Sequence, residues 1–374
     1  MSPATAPRND PGATRLLVLA AEGPDDRDGS ETSRNATFAE TRVDALPDVL
    51  RPGDLVVVND AATLPASFDV AIDERGTRRG TSFELRLTAF PAGDSVRAIA
   101  FGRGDFRTET ERRGPPPHLV VGDEVMFVPG VTLVVTEVDA SSPRRLGFRC
   151  PAGHDAFVAA LFAHGRPVQY AYVARPLALW DVQTRYAGRP WAVEAPSAGL
   201  PLTTTVLSAL RNRGVAVARL THGAGLSSTG DTSLDRRLPF PETYEIPPET
   251  VRAVEGAHAR GGRVVAIGTS VVRALEGNVA DHGTLRAGTW TTDLRIGPSH
   301  ALRVVDALLT GMHERGVSHF DLLQAFVRAP RLDRAHAFAE SRGFFAHEFG
   351  DTMLAFASPD VRGRQPFTTA RASR

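Results

Sequence analysis

The sequence predicts an α/β main domain with a mostly parallel sheet, interrupted by an inserted small all-β barrel domain. Three observations predict it. Short, mainly apolar runs such as Arg15–Leu19, Leu55–Val58, Val215–Leu220 and Val264–Ile267 read as strands, and the unbroken Val264–Ile267, bounded by glycines, suits burial on both faces. From His154 onward such runs alternate with stretches of helical spacing, the order expected of helices packed on a parallel sheet. Between Ser67 and Arg149 the texture changes to short alternating segments parted by Gly- and Pro-rich turns, with no helical period. The expected division is therefore 1–66 and 150–374 for the main domain and 67–149 for the insertion.

In chain order, residues 1–12 and 359–374 are rich in Pro, Ser, Thr, Arg and Gly and read as frayed tails, with Glu22–Arg34 a polar loop. Pro52-Gly53 turn the chain into Leu55–Val58, which ends at Asn59-Asp60, either an Asx turn or part of a site. Phe83-Leu85-Leu87, Val96-Ala98-Ala100, Val125-Phe127 and Val131–Val135 are the alternating segments of the insertion. Arg75, Arg78, Arg79, Arg103, Arg107, Arg112, Arg113, Arg144 and Arg145 crowd it, with Phe101 and Phe106 among them. Such a set is either a solvated surface or a face that contacts phosphates.

Beyond the insertion, Ala156–Ala163 suits a helix and Ala192–Ala195 a strand. Thr203–Arg213 places Val206, Leu207 and Leu210 on one helical face and stops at Gly214. Pro248–Arg260 starts with proline at or near the first helical position and ends at Gly261-Gly262. Val264–Ile267, Gly268-Thr269-Ser270 and Val271–Glu276 then read as strand, tight turn and helix. The apolar Leu302–Leu309 precedes Thr310-Gly311-Met312-His313, and Ser318 looks like the N-cap of a helix Phe320–Val327 ended by Pro330.

With 374 residues, 42% of them apolar, the chain can bury a large core and fill two domains. No apolar run approaches the roughly 20 residues that span a bilayer, and the polar start MSPATAPRNDPG lacks a signal-peptide core. The expectation is a soluble cytoplasmic protein with no membrane partner. Cys150 is the sole cysteine, which excludes an internal disulfide and a thiolate cluster. The sequence has no lysine, so Schiff-base chemistry, pyridoxal phosphate attachment and a P-loop lysine are excluded too. A net charge of zero gives no global argument for nucleic-acid binding.

In open α/β sheets ligands bind outside the carboxyl ends of the strands. Pro196–Pro201, Thr221–Asp231 and Gly268–Ser270 follow predicted strands and are dense in Gly, Ser and Thr, so they are expected to border one substrate pocket. The candidate binding residues are Asn59, Asp60, Pro196, Ser197, Ala198, Gly199, His222, Gly223, Gly225, Gly268, Thr269 and Ser270. Backbone N–H groups at a helix start hold polar or anionic ligand groups; the alternative is that Thr269 or Ser270 is only an N-cap. His222, His313, Asp293 and Arg273 are the possible proton carriers or charged groups nearby. No HExxH, paired-Cys or Asp-rich pattern occurs, nor GxGxxG or GxSxG between strand and helix, so neither a metal nor a nucleotide cofactor is indicated.

The segments LRPGDLVVVND (50–60), EAPSAGL (194–200), THGAGL (221–226), YEIPPET (244–250), GGRVVAIGTSVVRALE (261–276), TTDLRIGP (291–298), LRVVDALLTGMH (302–313) and FGDTML (349–354) add a resemblance. In this order they resemble the S-adenosylmethionine:tRNA ribosyltransferase-isomerase family of queuosine biosynthesis, over nearly the whole chain and with an all-β insertion in the expected place. The resemblance implies S-adenosylmethionine as a substrate and tRNA as a partner. The ribosyl group passes to the aminomethyl of a 7-deazaguanine base and is rearranged to give epoxyqueuosine, while adenine and methionine leave. That chemistry needs a base for a proton next to the sulfonium, an acid for departing adenine and hydroxyl donors around the sugar, and no metal.

Departures from the family pattern mark a divergent member. Pro201 and Thr221 stand at histidine positions, with His222 displaced by one; Pro239-Phe240-Pro241-Glu242 replaces a segment holding another histidine; Asn59–Ser67 lacks two arginines; and Ser270-Val271 replace a Thr-Ser pair. His313 and Arg273 stay in place, which with Asp293 makes them the catalytic candidates, His313 foremost. The lost polar residues leave two other readings open, S-adenosylmethionine chemistry with a small-molecule acceptor and a non-catalytic binding protein on the same scaffold.

Overall fold

In the computed structural model, which describes residues 1–21, 38–72, 81–313 and 315–358, nine strands share one sheet and six close a barrel. The sheet strands are β1 (Arg15–Leu19), β2 (Phe38–Arg42) and β3 (Leu55–Asn59), then, after the barrel, β10 (Ala216–His222), β11 (Glu242–Ile246), β12 (Val264–Ile267), β13 (Gly288–Thr292), β14 (Ala307–Gly311) and β15 (Thr352–Phe356). Their order is β13-β11-β10-β3-β12-β14-β15-β1-β2. The four central strands, β10, β3, β12 and β14, run parallel, with Ala266 of β12 opposite both Val57 and Leu308. Both flanks add antiparallel pairings, β11 on β10 and β15 on β14.

All four residues of β12 are buried, and they divide alternately between two cores. Val264 and Ala266 pack with Val271 and Leu275 of the helix Thr269–His282, whereas Val265 and Ile267 pack with Val206 and Leu210 of the helix Thr204–Asn212. That two-sided burial is why the strand reads as unbroken apolar sequence, its Val and Ile side chains each contributing about 1.5–3 kcal/mol when removed from water.

The barrel strands are β4 (Ser67–Ile72), β5 (Ser82–Leu87), β6 (Ser95–Phe101), β7 (Glu124–Val128), β8 (Val131–Val138) and β9 (Arg145–Arg149), closed in the order β4-β5-β6-β9-β8-β7. Phe68, Leu85, Ala98, Leu133 and Phe148 fill it, and Phe157 and Leu161 of the helix His154–His164 join the same core. Closure pairs every strand on both sides and leaves no edge.

Several expectations need correction. Residues 1–12 are not a frayed tail: the Ala4 N–H donates to the Ala346 carbonyl at 3.0 Å, Arg8 pairs with Asp351 at 2.5 Å, and the terminal amine pairs with Glu340. Ala192–Ala195 is not a strand; Ala192 makes a single bridge to Thr63, and Pro190 and Pro196 on either side withhold the donors a ladder needs. Ser318 is the first residue of a helix that ends at Leu323, its N-cap is Val317, and Pro330 belongs to the first turn of the next helix, Ala329–Ser341. Glu22–Arg34, 359–374 and Arg75, Arg78 and Arg79 lie outside the described residues. Among the described residues no helix is long and apolar enough to cross a membrane.

Candidate active site

The parallel strands β10, β3, β12 and β14 bring His222, Asn59, Gly268 and Gly311 to one rim, because parallel neighbours end on the same side. Asn59 clamps this rim. Its amide nitrogen donates to the His222 carbonyl at 2.9 Å and to Ser270 Oγ at 3.2 Å, and its amide oxygen accepts from the N–H groups of His222 at 2.9 Å and Ala61 at 3.0 Å. The last bond is an Asx turn, so the local and the site readings of Asn59 hold together. Asp60 accepts a hydrogen bond from the Thr221 hydroxyl at 2.6 Å, fixing β3 to β10 beside it.

Gly268 has φ +91, a left-handed turn that lets the chain leave β12 and enter the helix Thr269–His282 at once. A Cβ on Gly268 would lie 3.5 Å from the Ala198 methyl, which places the Ser197–Gly199 turn, following Pro196, against the start of that helix. Neither Thr269 nor Ser270 caps it: Gly268 is the N-cap, without a side-chain bond, and the Ser270 hydroxyl turns to Asn59. Gly223 lies where a Cβ would meet the Trp191 carbonyl at 2.9 Å. Asn59 thus ties the first residues of Thr221–Asp231 to Gly268–Ser270, and Ala198 joins them. The far half of Thr221–Asp231 goes elsewhere: Ser228 bonds Glu111 at 3.0 Å and Asp231 bonds Ser142 at 2.6 Å, both on the barrel segment.

Arg273 lies one turn into the helix and forms an ion pair with Glu242 of β11, its own side chain 13% exposed. Glu242 also accepts the Gly225 N–H at 2.6 Å and lies 3.4 Å from His222 Nε2. Burial lowers the Arg273 pKa to about 10, which leaves it charged at neutral pH. His222 is fully buried; burial and the Arg273 charge hold its pKa well below the usual histidine range, so the ring is neutral. Neither ring nitrogen of His222 has a hydrogen-bond partner, nor has Arg273 Nε. Glu242 was absent from the expected site. The signal was present at the end of Pro239-Phe240-Pro241-Glu242, a segment that drew attention only for a histidine it lacks.

His313 follows β14. Its Nε2 is 2.7 Å from Thr310 Oγ1 and its ring stacks on His319 at 4.7 Å and 16°. Burial, then the neighbouring His319, His336 and His347, hold its pKa well below the usual range, so it is a neutral imidazole able to accept a proton. Burial, then the Arg273 charge, lower His319 to about 4, so His319 lies near Arg273 as well as stacking on His313. Asp293 follows Thr292, the residue paired with Glu242, but it is exposed, and no described hydrogen bond ties it to Arg273 or His313.

The barrel arginines divide in two. Arg113 and Arg144 are buried: Arg113 pairs with Glu84 at 2.5 Å, Arg144 donates to the Arg113 carbonyl at 2.8 Å, and Phe101 lies buried beneath both. They cannot face phosphates. Arg145 pairs with Asp139 at 2.8 Å. Arg103, Arg107 and Arg112 are exposed, the last two paired locally with Asp105 and Glu109.

Comparison with known proteins supplies the family. Residues 2–355 match the family described as queuosine biosynthesis protein. The S-adenosylmethionine:tRNA ribosyltransferase-isomerase of Acidiphilium cryptum is 33% identical over 353 residues, 91% of this chain and 92% of that one. The protein of the same name from Thermus thermophilus is 33% identical over 345 residues, with 91% and 92% covered. A crystal structure of an S-adenosylmethionine tRNA ribosyltransferase from Thermotoga maritima has 22% identity and a TM-score of 0.48 across 94% of this chain and 95% of that one. With its sheet and barrel in place and the family match running through both, this chain belongs to the queuosine biosynthesis protein family.

Proposed function

We propose that this chain is an S-adenosylmethionine:tRNA ribosyltransferase-isomerase, an enzyme that transfers and isomerises the ribosyl part of S-adenosylmethionine onto a 7-aminomethyl-7-deazaguanine base in tRNA. The product is epoxyqueuosine, and adenine and methionine are released. The observation that carries this reading is the family match over residues 2–355, and the placing of Asn59, Ser270, Arg273 and His313 at or just beyond the ends of the parallel strands supports it.

The reaction begins with loss of a proton from the ribose carbon beside the sulfonium. His313, neutral and hydrogen-bonded to Thr310, is the base. Arg273, steadied by Glu242, is a fixed cation for the carboxylate of the methionyl part. The Ser270 and Thr269 hydroxyls stand at the helix start for the sugar. The pairing and burial of Arg113 and Arg144 favour a second reading, in which the acceptor is a small molecule in place of tRNA.

Incubation of the purified protein with S-adenosylmethionine, with and without bulk tRNA, distinguishes the two. Adenine and methionine released only with tRNA support the first reading and release that ignores tRNA supports the second. No release under either condition contradicts both and returns the chain to a binding role.

A further inference from the structure

Three rings lie one on another beside the rim. Tyr170 and Tyr172 stack at 6.2 Å and 16°, and Tyr172 stacks on His347 at 4.3 Å and 26°. The Tyr170 end is tied to the loop after β10 by a hydrogen bond with Ser227 Oγ at 2.9 Å. The His347 end abuts the end of β14, its carbonyl oxygen 3.9 Å from where a Cβ on Gly311 would lie. In the sheet β10 and β14 are separated by β3 and β12, roughly 14 Å. The stack therefore links the two sides of the rim that carries Asn59 and Ser270.

His347 has φ +69, the one non-glycine residue with positive φ among the described residues. A left-handed backbone costs a side-chain-bearing residue about 1–3 kcal/mol and recurs at ligand sites. Its ring is exposed, while Tyr170, Tyr172 and the adjoining Glu348 are half-buried. Glu348 Oε2 accepts a hydrogen bond from the Tyr172 hydroxyl. Accessible stacked rings beside a hydrogen-bonding group are the usual means of gripping a planar base.

We propose that the exposed His347 end of the Tyr170–Tyr172–His347 stack holds the adenine ring of S-adenosylmethionine and that the Glu348 carboxyl reads its edge. The assignment rests on the functional reading above, which supplies the donor substrate. Adenine presents a ring-nitrogen acceptor beside an amine donor. A protonated carboxyl complements both: its O–H donates to the ring nitrogen, and its other oxygen, which already accepts from Tyr172, accepts from the amine. A guanine edge that places a ring N–H beside an amine requires the ionised carboxylate instead. Burial raises the Glu348 pKa to about 7, so the neutral form is available. The groups around it are the Tyr172 hydroxyl, the adjoining His347, whose charge also reaches His313, and, from the N-terminal segment, Arg8, which bonds the Phe349 carbonyl at 3.2 Å and Asp351.

The sign follows from the form that binds. Adenine affinity is full below the Glu348 pKa and falls as pH rises through it. Calorimetric titration of free adenine into the whole protein should show about ten-fold weaker binding at about pH 8 than at about pH 6. Glu348→Gln should keep adenine binding and lose its pH dependence, since an amide offers the same donor and acceptor. His347→Gly, which relieves the left-handed backbone, should weaken adenine about ten-fold without lowering thermal stability. Guanine binding as well as adenine at pH 6, pH-independent adenine binding by the wild type, or unaltered affinity in His347→Gly would each overturn the assignment. These titrations need neither turnover nor tRNA. A protein that binds adenine in this way yet releases none from S-adenosylmethionine contradicts the reaction and supports the subsite.

Discussion

The barrel and the rim each bury an arginine against a glutamate, and they differ in what is left over. In the barrel, Glu84 accepts from Arg86 Nε at 2.7 Å, Arg113 Nη1 at 2.5 Å and Ser67 Oγ at 2.7 Å, and the Phe101 ring lies under both guanidinium groups. Arg86 Nη1 is the one buried atom of this set without a hydrogen bond. At the rim, both His222 ring nitrogens and Arg273 Nε lack one, while Glu242 Oε2 is held in the Arg273 ion pair. Buried polar groups are almost always satisfied, and each exception asks for a cause. A nearly saturated network fixes structure, whereas an unsaturated one at strand ends is the place proposed above for the substrate.

The largest effect expected from this contrast is on stability. Glu84→Gln leaves two buried guanidinium groups short of a counter-charge and should lower the unfolding free energy by about 3–5 kcal/mol in urea, with turnover per folded molecule unchanged. Acid gives the same information. Despite the opposing effect of burial, Arg86 and Arg113 hold the Glu84 pKa at about 2, against 4.5 when unperturbed. Its contribution, roughly 3 kcal/mol, is present above the unperturbed value and is lost as pH falls from there toward about 2. Acid unfolding of Glu84→Gln should lack that component; a variant of full stability and impaired turnover would erase the distinction between the two networks.

The smallest effect concerns the exposed arginines. Arg103, Arg107 and Arg112 changed together to Ala should weaken tRNA binding and flatten its salt dependence, by roughly one log–log unit for each phosphate that is no longer neutralised. Filter binding across a salt series measures the slope. An unchanged slope returns these residues to a solvated face and strengthens the small-molecule reading.

Much of this architecture was legible because burial on two faces writes itself as uninterrupted apolar sequence, as in Val264–Ile267, and because barrel strands alternate. That the starts of the loops after β10 and β12 lie together was legible too, since loops after parallel strands share one rim, but the role of Asn59 in tying them was not. Charge was harder to read. Arg113 and Arg107 look alike in sequence, and only the fold places one over Phe101 beside Glu84 and the other in solvent. Glu242 escaped notice because β11, with buried and less buried residues alternating over five positions, carries a weak strand signal and pairs antiparallel at the flank. Position along the chain gave no hint that His347 would stack on Tyr172, 175 residues away, because that contact arises from tertiary packing alone.

Reaction of S-adenosylmethionine at this rim is tested most directly through His313→Asn, by timing adenine release and measuring the unfolding free energy of the same preparation. An amide can replace the bond to Thr310, so stability should stay within about 1 kcal/mol. Removing a positioned acid or base should slow release by at least about 100-fold. Near-normal release from the folded variant would contradict the assignment of His313 and, with it, the rim as the place where the proton is taken.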